Sequence, residues 1–262
     1  MRKQKFNLPI KIISLLVIIS LAFSFIIGYI WKVLTTADFF AVKQVVVRNS
    51  DNQFEYLKGR NIFSLNLSNE ARVVFLNCPD CRKVRFARIL PNCIVVDFLR
   101  RKPVALVKFY KNFAIDEQGV LFLPDLETEE LGLPVIYGLE TKIFAPKPGK
   151  TYKRFELDLA LSIINEFKAN KAFAGFSLKR IDVSSAGSAG FFMLLPRQVV
   201  NYTLAVPQAE WLGFEVRTGV NNIRQKMMIL GGLVIQGRKE WGNIKYIDLR
   251  FKEPLIKLNN VK

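Results

Sequence analysis

The distribution of apolar positions divides the chain into three stretches of different character. From Ile12 to Trp31 the sequence IISLLVIISLAFSFIIGYIW carries no charge. As a helix this run is about 30 Å long, the thickness of a bilayer's hydrocarbon core. Tyr29 and Trp31 stand at its end, where aromatic rings favour the membrane interface. A cleaved signal peptide has a shorter apolar region, about 7 to 15 residues, and the nearest cleavage context here is the poor Thr35-Thr36-Ala37. The reading is therefore a retained anchor over residues 12–31, behind a tail of residues 1–11. Arg2, Lys3, Lys5 and Lys11 precede the span without an acidic residue among them, which favours an N-terminus in the cytoplasm and export of the remainder.

After a connector at residues 32–38 the pattern shortens. FFAVKQVVVRN is dense in β-branched residues and predicts a strand through Val47, stopped by the turn formers Asn49, Ser50, Asp51 and Asn52. Phe54 to Leu57 reads as a short helical stretch closed by Gly59. Ser68 is the expected N-cap of a second helix, with Glu70 in its first turn and Val73, Val74 and Leu76 toward its apolar side. VRFARIL and CIVVDF, broken at Pro91-Asn92, read as a hairpin. The order is strand, helix, helix, strand, strand.

Further on, Pro146-Lys-Pro-Gly149 marks a turn, and Leu159, Ile163 and Phe167 recur at spacing four along a helix from about Phe155 to Lys168. LKRIDVS, GFFMLL and YTLAV are short strand candidates, Asn222 to Leu230 a further helix, and KYIDLRF, Lys245 to Phe251, a terminal strand. Short strands interleaved with two helices make an α+β domain.

Composition narrows the chemistry. The 262 residues contain no histidine, which removes Ser-His-Asp, Cys-His and HExxH sites together. Cys78, Cys81 and Cys93 are too few for a four-ligand zinc site, so neither metal nor cofactor is expected. Cys78-Pro-Asp-Cys81 follows a helix and precedes a strand, the reverse of a thioredoxin-type setting. A local disulfide, or pairing of one member with Cys93, is the expected use. A Ser/Lys dyad is the remaining hydrolytic option, but Ser184, Ser185 and Ser188 lie in the turn-like SSAGSAG. GLVIQG and LGG lack the spacing that cradles phosphates, so no nucleotide site is implied, and no small-molecule substrate is expected. Asp116 and Gly119 in AIDEQG read as a structural turn.

Basic residues number 39 against 22 acidic. Arg82, Lys83, Arg85, Arg88, Arg100, Arg101, Lys102 and Lys108 crowd one stretch with only Asp97 among them. Either a solvated face or attraction to anionic lipid or an acidic partner accounts for them, whereas nucleic acid is excluded by export.

FFAVKQVVV, KGRNIFSLNL and VRFARILPNCIVVDFLRRKPVALV, continued in FAIDEQGVLF, LPVIYG, LDLALSIINEF, VRTGVNNIRQKMMIL and IKYIDLRFKEP, resemble the FtsQ and DivIB family of bacterial cell-division proteins. Arg100 stands where that family usually has a glutamate. The resemblance implies a βααββ POTRA domain at residues 39–110, a β-rich domain at 111–255 and a tail at 256–262. It further implies a non-enzymatic scaffold of septation in the inner membrane, with single-span partners of the FtsB and FtsL type. By position, Arg250 and Phe251 would contact the partner, with Phe251 where a tyrosine is common, followed by Lys252, Leu255 and Ile256. The last strand is expected to be the sheet edge that a partner extends, and Pro254 to end the pairing. The rival is another POTRA-bearing protein, of polypeptide export or outer-membrane assembly.

Overall fold

The computed structural model describes residues 10–125, 132–195, 213–237 and 241–259. The strand expected at YTLAV lies outside them. Two compact units divide between Arg100 and Arg101.

The first unit begins with α1 (Ile10–Thr36). Its segment Ile12–Thr36 is long and apolar enough to cross a membrane, at a mean hydropathy of 2.5, and none of that window is buried by protein. The expected connector at 32–38 is mostly helix: the Thr35 and Thr36 hydroxyls donate back to the carbonyls of Trp31 and Lys32 and prolong the regular turns. Strand β1 (Gln44–Arg48), helix α2 (Leu67–Leu76) and the hairpin β2 (Cys81–Ile89) and β3 (Cys93–Arg100) complete the unit. The sheet order is β1-β3-β2, with β1 parallel to β3. The first of the two expected helices is only a 3-10 turn, Glu55–Leu57.

Two details of α2 differ from expectation. Asn66, not Ser68, caps it, by accepting from the Asn69 N–H at 3.1 Å. Its buried face also differs: Leu67 is buried and Val74 packs on the core, seven residues apart on one side, while Val73 and Leu76 face outward. Leu57, Ile62, Leu65, Ile94, Val96 and Phe98 form the centre of this small core.

The second unit is built on a ten-stranded sheet ordered β13-β12-β11-β10-β9-β7-β4-β5-β6-β8. Its strands are β4 (Ala105–Lys108), β5 (Asn112–Ile115), β6 (Val120–Phe122), β7 (Val135–Tyr137), β8 (Lys150–Thr151), β9 (Ser177–Asp182), β10 (Ser188–Leu194), β11 (Gly213–Gly219), β12 (Ile244–Asp248) and β13 (Leu255–Leu258). The first compact unit ends at Arg100, and residues 101–110 fall in the second. Pro103 interrupts the apolar run after β3, and Ala105–Lys108 then pairs with β5 and β7 of the larger sheet.

Helices α3 (Phe155–Ala169) and α4 (Ile223–Gln236) contribute to one core with the sheet. Leu159, Ile163 and Phe167 are buried along α3 as their spacing requires, and α4 runs past the expected Leu230. Beside parallel strands β7 and β9, Gly138 has φ +91°, and a Cβ there would lie 2.3 Å from the Ser184 nitrogen. Only glycine fits that approach. The molecule is α+β, with a single N-terminal apolar helix among the described residues.

Candidate functional site

The burial of β10 and β11 alternates strictly, so Glu215 and Arg217 lie on the face opposite the buried Phe214 and Val216. Register sets Glu215 beside Tyr246 and Arg217 beside Asp248 of the next strand. The Arg217 guanidinium stacks 4.4 Å from the Tyr246 ring centre and pairs with Glu215 at 3.1 Å. The Leu249 N–H donates to the Arg217 carbonyl at 2.7 Å, prolonging the contact past β12.

Here the chain bends. The buried Asp248 carboxylate accepts from the Arg250 N–H at 3.0 Å, from Nε at 3.0 Å and from Nη2 at 2.6 Å. The Arg250 side-chain bonds hold the Asp248 pKa below the usual carboxylate range, against the opposing effect of burial. This fixes Arg250 at the strand's end and turns the following Phe251 outward, 57% exposed, with the guanidinium 5.9 Å from its ring centre. Phe251 does not pack into the core of the domain. Lys252 lies exposed in the same bend.

The strand before this bend ends at Asp248 and is not the edge. β12 runs parallel to β11 on one side and antiparallel to β13 on the other. Pro254 accordingly does not end the pairing; an extended residue before a strand suits its fixed φ, and β13 starts at Leu255. Leu255 and Ile256 lie on this outermost strand with Lys257 and Leu258, all four exposed. Of the carried-over residues, the structure thus places Arg250, Phe251 and Lys252 in the bend and Leu255 and Ile256 on the edge. Leu258 joins them and was missed, because a tail following Pro254 gave no strand signal.

The opposite edge has another character. β8 is two residues long, Lys150–Thr151, preceded by Pro146 and Pro148. Both edges carry a lysine and follow a proline, but β8 is only two residues long, whereas Leu255-Ile256-Lys257-Leu258 is longer and mostly apolar.

The basic stretch divides by environment. The Arg101 side chain is only 8% exposed and pairs with the Asp116 Oδ2 at 2.6 Å, while the Asp116 Oδ1 accepts the N–H groups of Gln118 and Val120, closing the turn read at Asp116 and Gly119. Arg88 donates to the carbonyls of Ile62 and Leu65 at 2.8 and 2.6 Å. Arg100 reaches Asp80 at 3.3 Å. Arg82, Lys83, Arg85 and Lys108 are exposed. The eight residues are therefore not one uniform face.

Cys78 and Cys81 are joined by a disulfide across the α2–β2 turn. Pairing with Cys93 is precluded by register, since Cys81 faces Arg100 and Cys93 faces Ile89 at the other end of the hairpin. The Ser184 hydroxyl donates to Asp182, so the turn serine has a carboxylate and not a lysine as its partner.

No protein-family model matches the chain. Curated relatives share one name. The cell division protein FtsQ of Geotalea daltonii is 24% identical over 199 residues, 76% of this chain and 66% of that protein. FtsQ of Syntrophotalea carbinolica is 22% identical over 233 residues, 86% of this chain and 76% of that protein. FtsQ of a Geobacter species is 23% identical over 178 residues, covering 68% of this chain and 58% of its relative. With the likeness running through most of the chain, and with an apolar N-terminal helix followed by a small and then a larger sheet unit, the chain is similar to the FtsQ cell-division proteins.

Proposed function

We propose that this protein is a non-enzymatic, single-pass scaffold of septation in the inner membrane. In this reading α1 anchors it, the N-terminus faces the cytoplasm, and the exported units bind single-span division proteins of the FtsB and FtsL type. The observation that carries the reading is the edge strand β13. It is solvent-exposed and mostly apolar, and among the described residues no strand pairs with its outer side. A free edge of this length offers backbone donors and acceptors to an added strand, and Phe251 beside it offers an aromatic anchor next to an arginine.

The test measures affinity of the detergent-solubilised chain for a co-expressed FtsB and FtsL pair. Phe251→Ala should weaken binding by about 2 kcal/mol or more, about thirtyfold. Its own stability should change by less than about 0.5 kcal/mol, since the ring is exposed. Leu255→Asp on the edge should act in the same direction. Unaltered affinity in both variants refutes the assignment of this edge.

A further inference from the structure

The membrane helix does not end in a free linker. The first about 30 Å of the span, Ile12–Trp31, fills a hydrocarbon core, and α1 continues to Thr36. Leu34 thus lies about 4.5 Å beyond the core, within a headgroup layer about 5 to 7 Å deep. At that level the Asn61 side-chain amide donates to the Leu34 carbonyl at 2.9 Å and to the Ala37 carbonyl at 3.4 Å. The Leu34 carbonyl belongs to the last turn of α1, where carbonyls lack partners within the helix, and Ala37 just past it also accepts the Phe40 N–H at 3.1 Å. The Asn61 Oδ1 in turn accepts the Phe63 N–H at 2.9 Å. One side chain therefore binds the membrane helix to the folded unit that follows.

The tie continues into that unit. Ala41 bridges to Asn61, and the Ile62 N–H donates to the Phe40 carbonyl at 2.9 Å. Arg88, through its bonds to Ile62 and Leu65, fixes the last residues of β2 to the same segment. The β2–β3 turn is joined to the start of β1, because the Lys43 and Gln44 N–H groups donate to the Asn92 carbonyl. Strands β1 and β3 both run away from this end. The side of the unit at which the span enters thus presents Phe39, Ile89 and Leu90, which are 65, 52 and 58% exposed. Lys32, Lys43 and Arg60 are exposed at the same end, with Asp38 the acidic residue among them.

We propose that the three-stranded unit rests on the bilayer surface at the end of its own span. Phe39 and the Ile89-Leu90 turn sit in the headgroup layer, Lys32, Lys43 and Arg60 face anionic phosphates, and Asn61 holds the unit to the helix. The occupant of this surface is lipid because the helix end that Asn61 grips is itself at headgroup depth. Apolar side chains rimmed by basic ones suit that layer, where each lysine or arginine near an anionic surface adds attraction.

The test uses the full chain, with Cys93→Ser, reconstituted in vesicles of phosphatidylcholine and phosphatidylglycerol without any partner protein. Spin labels are placed at Phe39→Cys, Leu90→Cys and, as a control at the far end of β1, Arg48→Cys. Collisions with oxygen and with a water-soluble nickel chelate are then compared. Labels at 39 and 90 should gain oxygen collisions and lose nickel collisions, while the label at 48 stays aqueous. Asn61→Asp keeps the acceptor for Phe63 and removes the donor to Leu34, so it should return the label at 90 to water with the unit still folded. An aqueous label at 90 in the unaltered chain overturns the resting surface. Retained immersion of that label in the Asn61→Asp chain overturns the role of Asn61. Neither result bears on the edge strand, since no division protein is present.

Discussion

Replacing Arg101 by methionine isolates the contribution of the buried ion pair in the second unit. Arg101 and Asp116 have side chains only 8% and 7% exposed and meet at 2.6 Å. Methionine fills much of the same volume without charge, leaving the Asp116 carboxylate with its two backbone N–H donors but no cation. Breaking a buried pair on one side costs about 3 to 5 kcal/mol, because the surviving charge is stranded out of water. The retained N–H bonds place the expectation at the lower end, about 3 kcal/mol. For a unit of this size that lowers the melting temperature by about 6 to 12 °C. A solvated arginine would give a change within about 0.5 kcal/mol, so the two environments differ severalfold in the measured quantity. Scanning calorimetry of the full chain in detergent reads the transition. Adding Asp116→Asn to Arg101→Met should recover part of the loss, since the stranded charge is gone while the Oδ1 acceptor remains. A shift below about 2 °C for Arg101→Met, or a double variant worse than the sum of the singles, would refute the reasoning.

Three other outcomes follow from the geometry. Because Arg250 depresses the Asp248 pKa, the stabilisation from that carboxylate is complete above the ordinary carboxylate value near 4. It disappears as pH falls below that value and through the depressed one. Denaturant melts between pH 6 and 2 should show this acid loss, diminished in Asp248→Asn. Gly138→Ala should destabilise the second unit by about 2 kcal/mol or more, since it combines a left-handed φ with a backbone clash at Ser184; an unchanged melting curve would refute the close approach. A tag after Lys262 should be cleaved by protease added to spheroplasts and one before Arg2 protected, because of the four leading positive charges; the reverse pattern would invert the topology.

What the sequence made legible was mostly local. The uncharged run at Ile12–Trp31, the spacing of Leu159, Ile163 and Phe167, and the break at Pro91-Asn92 each specify an element within a few turns or strands. The turn at Asp116 was equally readable, yet its partner Arg101 was not, because nothing in a run of basic residues distinguishes the one that folds inward. The helix cap failed for a similar reason. Asn66 and Ser68 are both good caps, and the choice between them rests on burying Leu67 against a core assembled from distant strands. Strand order is non-local as well: β4 lies between β5 and β7, and β11 pairs in parallel with β12 across the whole of α4. Those pairings decide where the sheet ends, and so which residues form its edge.

That edge dictates what a partner strand must look like. Ile256 lies opposite the buried Ile247 and Leu258 opposite the buried Ile244, so both extend the core face of the sheet beyond its last covered strand. Leu255 and Lys257 lie beside Asp248 and Tyr246, on the face that carries Glu215, Arg217 and Arg250. An added strand at about 4.8 Å would therefore set apolar residues beside Ile256 and Leu258 at every second position. Each of those two side chains is about half exposed, so covering it contributes about 1 kcal/mol. The alternate positions would face Leu255 and Lys257, and an acidic residue is favoured beside Lys257. Exchanging the two sets in the partner strand, so that acids meet Ile256 and Leu258 and an apolar residue meets Lys257, inverts the match at those three positions. Such a partner should lose affinity well beyond what Phe251→Ala causes in this chain. Equal affinity for the native and exchanged strands would mean that the partner does not add to β13.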